Sequence, residues 1–225
     1  MADSKPFISI LGGTAALGAG LALRWAIAGY PVIIGSRAAD RAADSAKALV
    51  ERVPGSTVSG YDNAEAAARG DIVVMTVPWD NHGPTIEAVK DAVQGKIFVD
   101  VTVPLVPPRV SRVHLPPEGS AGKTSQVLLG ENVQVTSAFH NIAAAHLQDL
   151  EHEIDSDVLV FGDKKAAREE VLKLVDAAGM KGWHGGPIDN SVVGEALTSM
   201  LIHINRNYKI GGAGIRITGT PGETE

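Results

Sequence analysis

Along the first hundred residues, short unbroken apolar runs alternate with segments of helical period. Phe7–Leu11 (FISIL), Val32–Ile34, Asp71–Val77 (DIVVMTV) and Ile97–Val101 read as strands buried on both faces, and Thr57–Gly60 as a weaker one. Between them lie a glycine turn leading into a helix that ends near Ala28, a helix over Ala38–Val50 with Ala42, Ala46, Leu49 and Val50 on one stripe, and shorter helices over Asn63–Arg69 and Thr85–Val93. Strands that alternate with helices predict parallel pairing, and right-handed crossovers leave few layouts other than a doubly wound sheet.

The second half is less regular. Val103–Pro117 holds five prolines and reads as an extended crossing segment. Val133–Phe139 and Val158–Phe161 are strand-like, and Lys164–Ala178 is an amphipathic helix with Asp163 as its expected cap and Gly179 as its stop. The longest helix is expected from Asn190 to about Asn205, with Val193, Leu197, Met200, Leu201 and Ile204 on one face, before a glycine-rich tail over Gly211–Thr220. The expected fold is α/β, with a doubly wound Rossmann-type sheet over residues 1–104 that extends to about 162. A smaller α+β C-terminal domain, 105–225, packs against it without a flexible linker.

Composition narrows the function. The 225 residues carry 20 Lys+Arg against 26 Asp+Glu, a net charge of −6, and only 4% are aromatic. This balance disfavours nucleic acid and anionic membrane as partners, and aromatic stacking platforms for single strands are lacking. There is no cysteine, so disulfides, iron–sulfur ligation and zinc–thiolate sites are excluded and a reducing compartment is compatible. Phe7–Leu23 is uncharged, but four glycines interrupt it and Arg24 ends it short of a bilayer span. The histidines show no metal spacing, His146 and His152 being six apart, and no metal is expected.

Gly13-Thr14-Ala15-Ala16-Leu17-Gly18 sits where the first strand turns into the first helix. G-x-G-x-x-G in that setting is the dinucleotide fingerprint, with the helix start aimed at a pyrophosphate. Gly13 is expected to make the tight turn and Gly18 to let helix and strand pack closely, while Ala15 replaces the middle glycine. An NAD site places an acid at the end of the second strand, about 20 residues on, to hold the ribose 2′-hydroxyl. Here Ser36-Arg37 stands there, with Arg41 one helical turn further. Guanidinium binds a 2′-phosphate with paired hydrogen bonds, whereas cations at a helix start with no anion oppose the helix dipole. The residues therefore favour NADP(H), against the blander reading of a solvated helix start. Val77-Pro78-Trp79 leaves the fourth strand and Asp100–Pro104 the fifth, both at carboxyl ends where ligands sit in open α/β sheets. Trp79 reads equally as core packing.

Taken together, ILGGTAALG, IIGSR, TVPW, DVTVPL, AFHNIAA and NSVVGEALTSMLIHIN resemble the 8-hydroxy-5-deazaflavin (coenzyme F420):NADP oxidoreductases, over about residues 7–219. The resemblance implies a homodimer that exchanges a hydride between nicotinamide C4 and deazaflavin C5, and the cytoplasm is the expected location. Within it, Thr14, Ser36, Arg37 and Arg41 match the 2′-phosphate positions and Pro78 and Trp79 the nicotinamide-side loop. His140, Asn141 and Ile142 match the segment lining the place where the two rings stack, and Thr198 a deazaflavin-side threonine. Two positions depart: where archaeal members present an Arg and a Ser on the helix carrying Thr198, this chain has Val192 and Ala196. A reductase of the same type with another acceptor (imine, ketone or flavin), or a non-catalytic NADP(H)-binding redox sensor, remains an alternative. His140 is the titratable group for proton delivery, with a packing histidine as its other reading. Deazaflavin coenzymes carry an anionic tail; Arg206, Lys209 and Arg216, with Arg109, Arg112 and Lys123, form candidate basic patches for it.

Overall fold

The computed structural model describes residues 5–219 and 222. Strands β1 (Ile8–Leu11), β2 (Val32–Ser36), β3 (Val58–Asp62), β4 (Ile72–Met75), β5 (Ile97–Asp100) and β6 (Gln134–Ser137) run parallel. β7 (Val158–Gly162) pairs antiparallel with β6, and β8 (Gly182–Gly186) parallel with β7. The eight form one sheet in the order β3-β2-β1-β4-β5-β6-β7-β8. Its first six strands follow the doubly wound order, so the switch point falls between β1 and β4. The sheet does not stop near residue 162; it continues through β8.

The helices are α1 (Ala16–Ile27), α2 (Ala39–Arg52), α3 (Asn63–Arg69), α4 (His82–Val89), α5 (Ala121–Leu129), α6 (Ala144–Gln148), α7 (Lys165–Ala177) and α8 (Ser191–Tyr208). Alternate strand residues feed two core layers. Ile8, Ile10, Ile34, Val74 and Val99 face α1, α2 and α7. Leu11, Ile33, Met75 and Phe98 face α3, α4 and α5. α1 is buried around most of its girth because α6 and α7 pack against it in addition to the sheet, which explains why its sequence is apolar enough to suggest a membrane segment. Trp25 on α1 donates its indole N–H to the Leu174 carbonyl at 2.8 Å and meets Phe139 edge-on, with ring centroids 5.9 Å apart.

Several elements depart from the sequence expectations. α4 begins at His82 rather than Thr85 and ends at Val89, and α8 runs to Tyr208. Asp163 does not cap α7: Lys164 occupies the cap position without a side-chain bond, while the Asp163 carboxylate accepts the Ile188 N–H at 3.0 Å. α5, α6 and β8 were not foreseen. β8 is Gly-Trp-His-Gly-Gly, which lacks the β-branched residues that mark a strand. Residues 103–117 form no helix or strand, as their prolines require. The tail from Gly211 to Gly219 is likewise irregular, and Thr220 lies outside the described residues.

Candidate active site

At the switch point the carboxyl ends of β1 and β4 open onto a hollow of about 230 Å³ lined by Gly12, Thr14, Ala15, Ser36, Arg37, Arg41, Asn63, Thr76, Val77 and Pro78, among others. The tight turn belongs to Gly12, with φ at 76°, and not to Gly13. Gly13 is required for a different reason: a Cβ there would stand 2.8 Å from the Ile10 carbonyl oxygen. Gly18 behaves as expected, since a Cβ would meet Thr76 Oγ1 at 2.6 Å and Gly13 Cα at 2.8 Å. Ala15, the cap residue of α1, is exposed and offers no side-chain bond to the helix start, leaving those N–H groups for a ligand. Asn63 accepts the Gly12 N–H at 3.3 Å and fixes the loop.

Ser36 ends β2 buried, whereas Arg37 and Arg41 stand exposed at the start of α2. Among the described residues neither arginine has an ion-pair partner. Two unpaired guanidinium groups beside a glycine turn and an uncapped helix form a donor set suited to a phosphate monoester and a pyrophosphate, so these residues fit an NADP-type dinucleotide.

A second hollow, of about 430 Å³, adjoins the first and shares Thr76, Val77 and Pro78 with it. Leu17, Trp79, Val101, Thr102, Val103, Leu105, His140 and Thr198 help to line it. His140 is delivered by an unusual backbone conformation: Phe139 takes φ of 64°, the left-handed region rarely used by residues with side chains, and is completely buried. The His140 ring is buried, its Nε2 lies 2.8 Å from Ser137 Oγ, and its carbonyl accepts the Thr198 hydroxyl at 2.8 Å. Burial pushes its pKa down to about 4, so the ring is neutral at neutral pH. In that state it meets the cleft as an uncharged polar wall.

Behind it lies Glu195 of α8, 3% exposed, which sequence reading passed over. Its carboxylate accepts the Ala121 and Gly122 N–H groups at 2.6 and 3.0 Å and thereby caps α5 together with Ser120. Burial pushes this carboxyl up to about 8, against the two backbone N–H bonds that favour ionisation. Glu195 sits four residues into a helix whose outward pattern is apolar, and no spacing rule marks it.

The predicted set is thus brought together in large part. Thr14, Ala15, Ser36, Arg37 and Arg41 line one hollow; Leu17, Trp79, His140 and Thr198 the other; Val77 and Pro78 both. Asn141 and Ile142 are not among these walls. The Asn141 amide donates to Ser156 Oγ and the Asp157 carbonyl, both at 3.0 Å, and Ile142 belongs to the core. Ala16 stands exposed on the first turn of α1.

Comparison with known proteins identifies the family. Residues 7–104 match the family model described as NADP oxidoreductase, coenzyme F420-dependent. An F420-dependent NADP reductase of Methanocaldococcus jannaschii is 38% identical over 219 residues, covering 94% of this chain and 97% of the relative. The chain belongs to the family of F420-dependent NADP reductases. The reductase of Methanothermobacter marburgensis is 36% identical, covering 95% of this chain and 99% of its own. A solved structure described as a putative F420-dependent NADP reductase from Arthrobacter sp. FB24 superposes with a TM-score of 0.77, at 24% identity, over 94% of this chain and 99% of that one, and shares the fold.

Val192 and Ala196 are not among the residues lining the hollow of His140; they border a small recess with Val103, Pro104 and Leu115. The basic patches are also partly neutralised. Arg216 pairs with Asp155 at 3.2 Å and Lys123 with Asp189 at 2.8 Å, carboxylates supplied from distant parts of the sequence.

Proposed function

We propose that this reductase exchanges a hydride between nicotinamide C4 of NADP(H) and C5 of the deazaflavin coenzyme F420. The observation that carries the reading is the continuity of the two hollows through Thr76, Val77 and Pro78: a phosphate-binding end with unpaired arginines leads directly to an apolar end with a neutral histidine. The cofactors supply the redox chemistry when bound. The chain's part is to bind and align. The α1 start holds the pyrophosphate, Ser36, Arg37 and Arg41 hold the 2′-phosphate, and Pro78 with Trp79 limits the nicotinamide end. His140 and Thr198, locked to each other, shape the acceptor side. Residues 1–104 bind the dinucleotide, and 105–225 cover the cleft and provide contacts to a second copy.

Mixing NADPH with oxidised F420 is expected to give loss of absorbance at 340 nm, with NADH much poorer. NADPH that binds without turnover on any two-electron acceptor would make the protein a redox sensor instead, and turnover only with an imine or ketone would reassign the acceptor.

The proposal also includes a cytoplasmic homodimer. Among the described residues no helix is long and apolar enough to cross a membrane. On α8, Val193 is 56% and Met200 44% exposed, two turns apart on one face, with Val113 and Leu115 exposed on the preceding crossing segment. A second copy covering this face would bury them. Sedimentation equilibrium at micromolar concentration is expected to give twice the chain mass, and Met200→Glu a monomer.

A further inference from the structure

Beneath the second hollow lies a buried cluster with no part in the reaction as described. Asp100, at the end of β5, is fully buried. Its Oδ2 lies 2.7 Å from His82 Nε2 and accepts the Ser125 hydroxyl at 2.5 Å. Its Oδ1 accepts the Thr102 N–H at 2.9 Å, and the Thr102 hydroxyl donates to the Val77 carbonyl at 3.2 Å. The His82 imidazole, 1% exposed, packs on Trp79 with ring centroids 4.8 Å apart and 37° between the planes. One carboxylate therefore reaches both walls of the hollow: Thr102 after β5 directly, and Trp79 after β4 through His82.

Stability alone does not explain this arrangement. Burial by itself pushes the Asp100 carboxyl up; His82, Ser125 and the Thr102 N–H outweigh it and hold the group below its usual range. A desolvated carboxylate–imidazole pair rarely stabilises a fold more than apolar groups of the same volume, and the layer around it is otherwise built of Ile86, Val89 and Leu129. Trp79 meanwhile needs something to orient it. Its indole N–H has no hydrogen-bond partner among the described residues, and it sits on a single 3-10 turn, Trp79–Asn81, with no side-chain cap. The imidazole is the aromatic face against which it rests.

We propose that Asp100, His82 and Ser125 form a positioning device that fixes Trp79 as the wall for the nicotinamide end of the bound dinucleotide. Asp100 orients the imidazole, Ser125 closes the third side, and the imidazole sets the indole plane. His82 is thus a positioning residue, acting on hydride transfer through Trp79 and not by touching the reacting atoms. The proposal rests on the NADP(H) reading above, but the binding arm of its test does not depend on the acceptor.

The test compares two ligands that differ only at the nicotinamide end, NADPH and 2′-phospho-ADP-ribose. His82→Gln leaves an N–H within reach of Asp100 and removes the ring behind Trp79. It is expected to leave affinity for 2′-phospho-ADP-ribose within about twofold, to weaken NADPH about fivefold, and to slow single-turnover hydride transfer at least about tenfold, as loss of near-attack alignment does. Equal weakening of both ligands would reduce the cluster to a structural support and overturn the proposal, as would an unchanged transfer rate. Should His82→Gln fail to fold, Asp100→Asn keeps the side-chain size and the Thr102 contact while removing the orienting charge, and is expected to show the same split between the two ligands. If the wild-type protein shows no turnover with F420 while the split persists in the variant, the positioning device stands and the acceptor assignment falls.

Discussion

The two ends of the cleft are built on opposite principles. At the phosphate end, Arg37 and Arg41 are exposed and without ion-pair partners among the described residues, and the helix start beside them carries no side-chain cap. At the ring end, Asp100, His82, His140 and Glu195 are all buried and already bonded within the chain. The first end keeps donors free for an anion that arrives from water. The second uses up its polar groups internally and presents to the ligand a surface that is apolar or neutral. Charge does the binding at one end, and geometry the alignment at the other.

This contrast can be broken most sharply at Glu195. Its carboxyl keeps a proton to about pH 8 in the folded chain, against an ordinary value of 4.5. Between those limits the folded state binds the proton more tightly than the unfolded one. The stabilisation is therefore complete below pH 4.5 and is lost as pH rises through 8. Urea unfolding at pH 5 and pH 8 is expected to show wild-type stability falling by a few kcal/mol more, on the order of 2–4, than that of Glu195→Gln. Parallel curves for the two proteins would mean that the α5 N–H groups keep Glu195 ionised. His140 acts in the other direction, with stability lost as pH falls from its ordinary 6.5 toward 4.

At the exposed end, Arg37→Ala is expected to weaken NADPH by about 1–3 kcal/mol in a calorimetric titration while leaving NADH unchanged. Equal loss for both would make Arg37 structural and remove the preference for the 2′-phosphate. The smallest effect belongs to Arg216→Ala. Its pair with Asp155 is solvent-exposed, so stability should move by less than about 0.5 kcal/mol. The KM for F420 should also hold, because Arg216 is already neutralised; a large rise would restore the basic tail as a site for the coenzyme's anionic part.

Legibility in the sequence follows the same divide. The glycine turn, Ser36-Arg37 and Pro78 are read from local spacing because their roles depend on an adjacent strand end and helix start. The fold of β1 to β6 is readable for the same reason: fully buried parallel strands leave apolar runs. What escaped was set by tertiary neighbours. Glu195 looks like any acid on a helix until α5 is placed against α8. His82 reads as one of seven scattered histidines until β5 brings Asp100 beneath it. Two of the six patch cations, Lys123 and Arg216, gain carboxylate partners, Asp189 and Asp155, that lie far off in the chain and that spacing does not reveal. Even the turn glycine was displaced by one position, since Gly12 and Gly13 serve φ and clearance respectively, and a motif does not tell the two apart.

Helix α1 has a consequence for recombining members of this family. Its first turn faces the phosphate hollow, yet the rest of it is bolted to the second half of the chain. Arg24 donates to the carbonyls of His146, Leu147 and Asp149, Trp25 reaches Leu174, and a Cβ on Gly20 would strike Leu147 at 2.6 Å. A chimera joined at residue 104 would take this helix from one parent and its sockets from the other. Modular swapping of cofactor preference must therefore carry α6 and α7 along with α1, or exchange only the segment from the end of β2 at Ser36 to the first turn of α2 at Arg41.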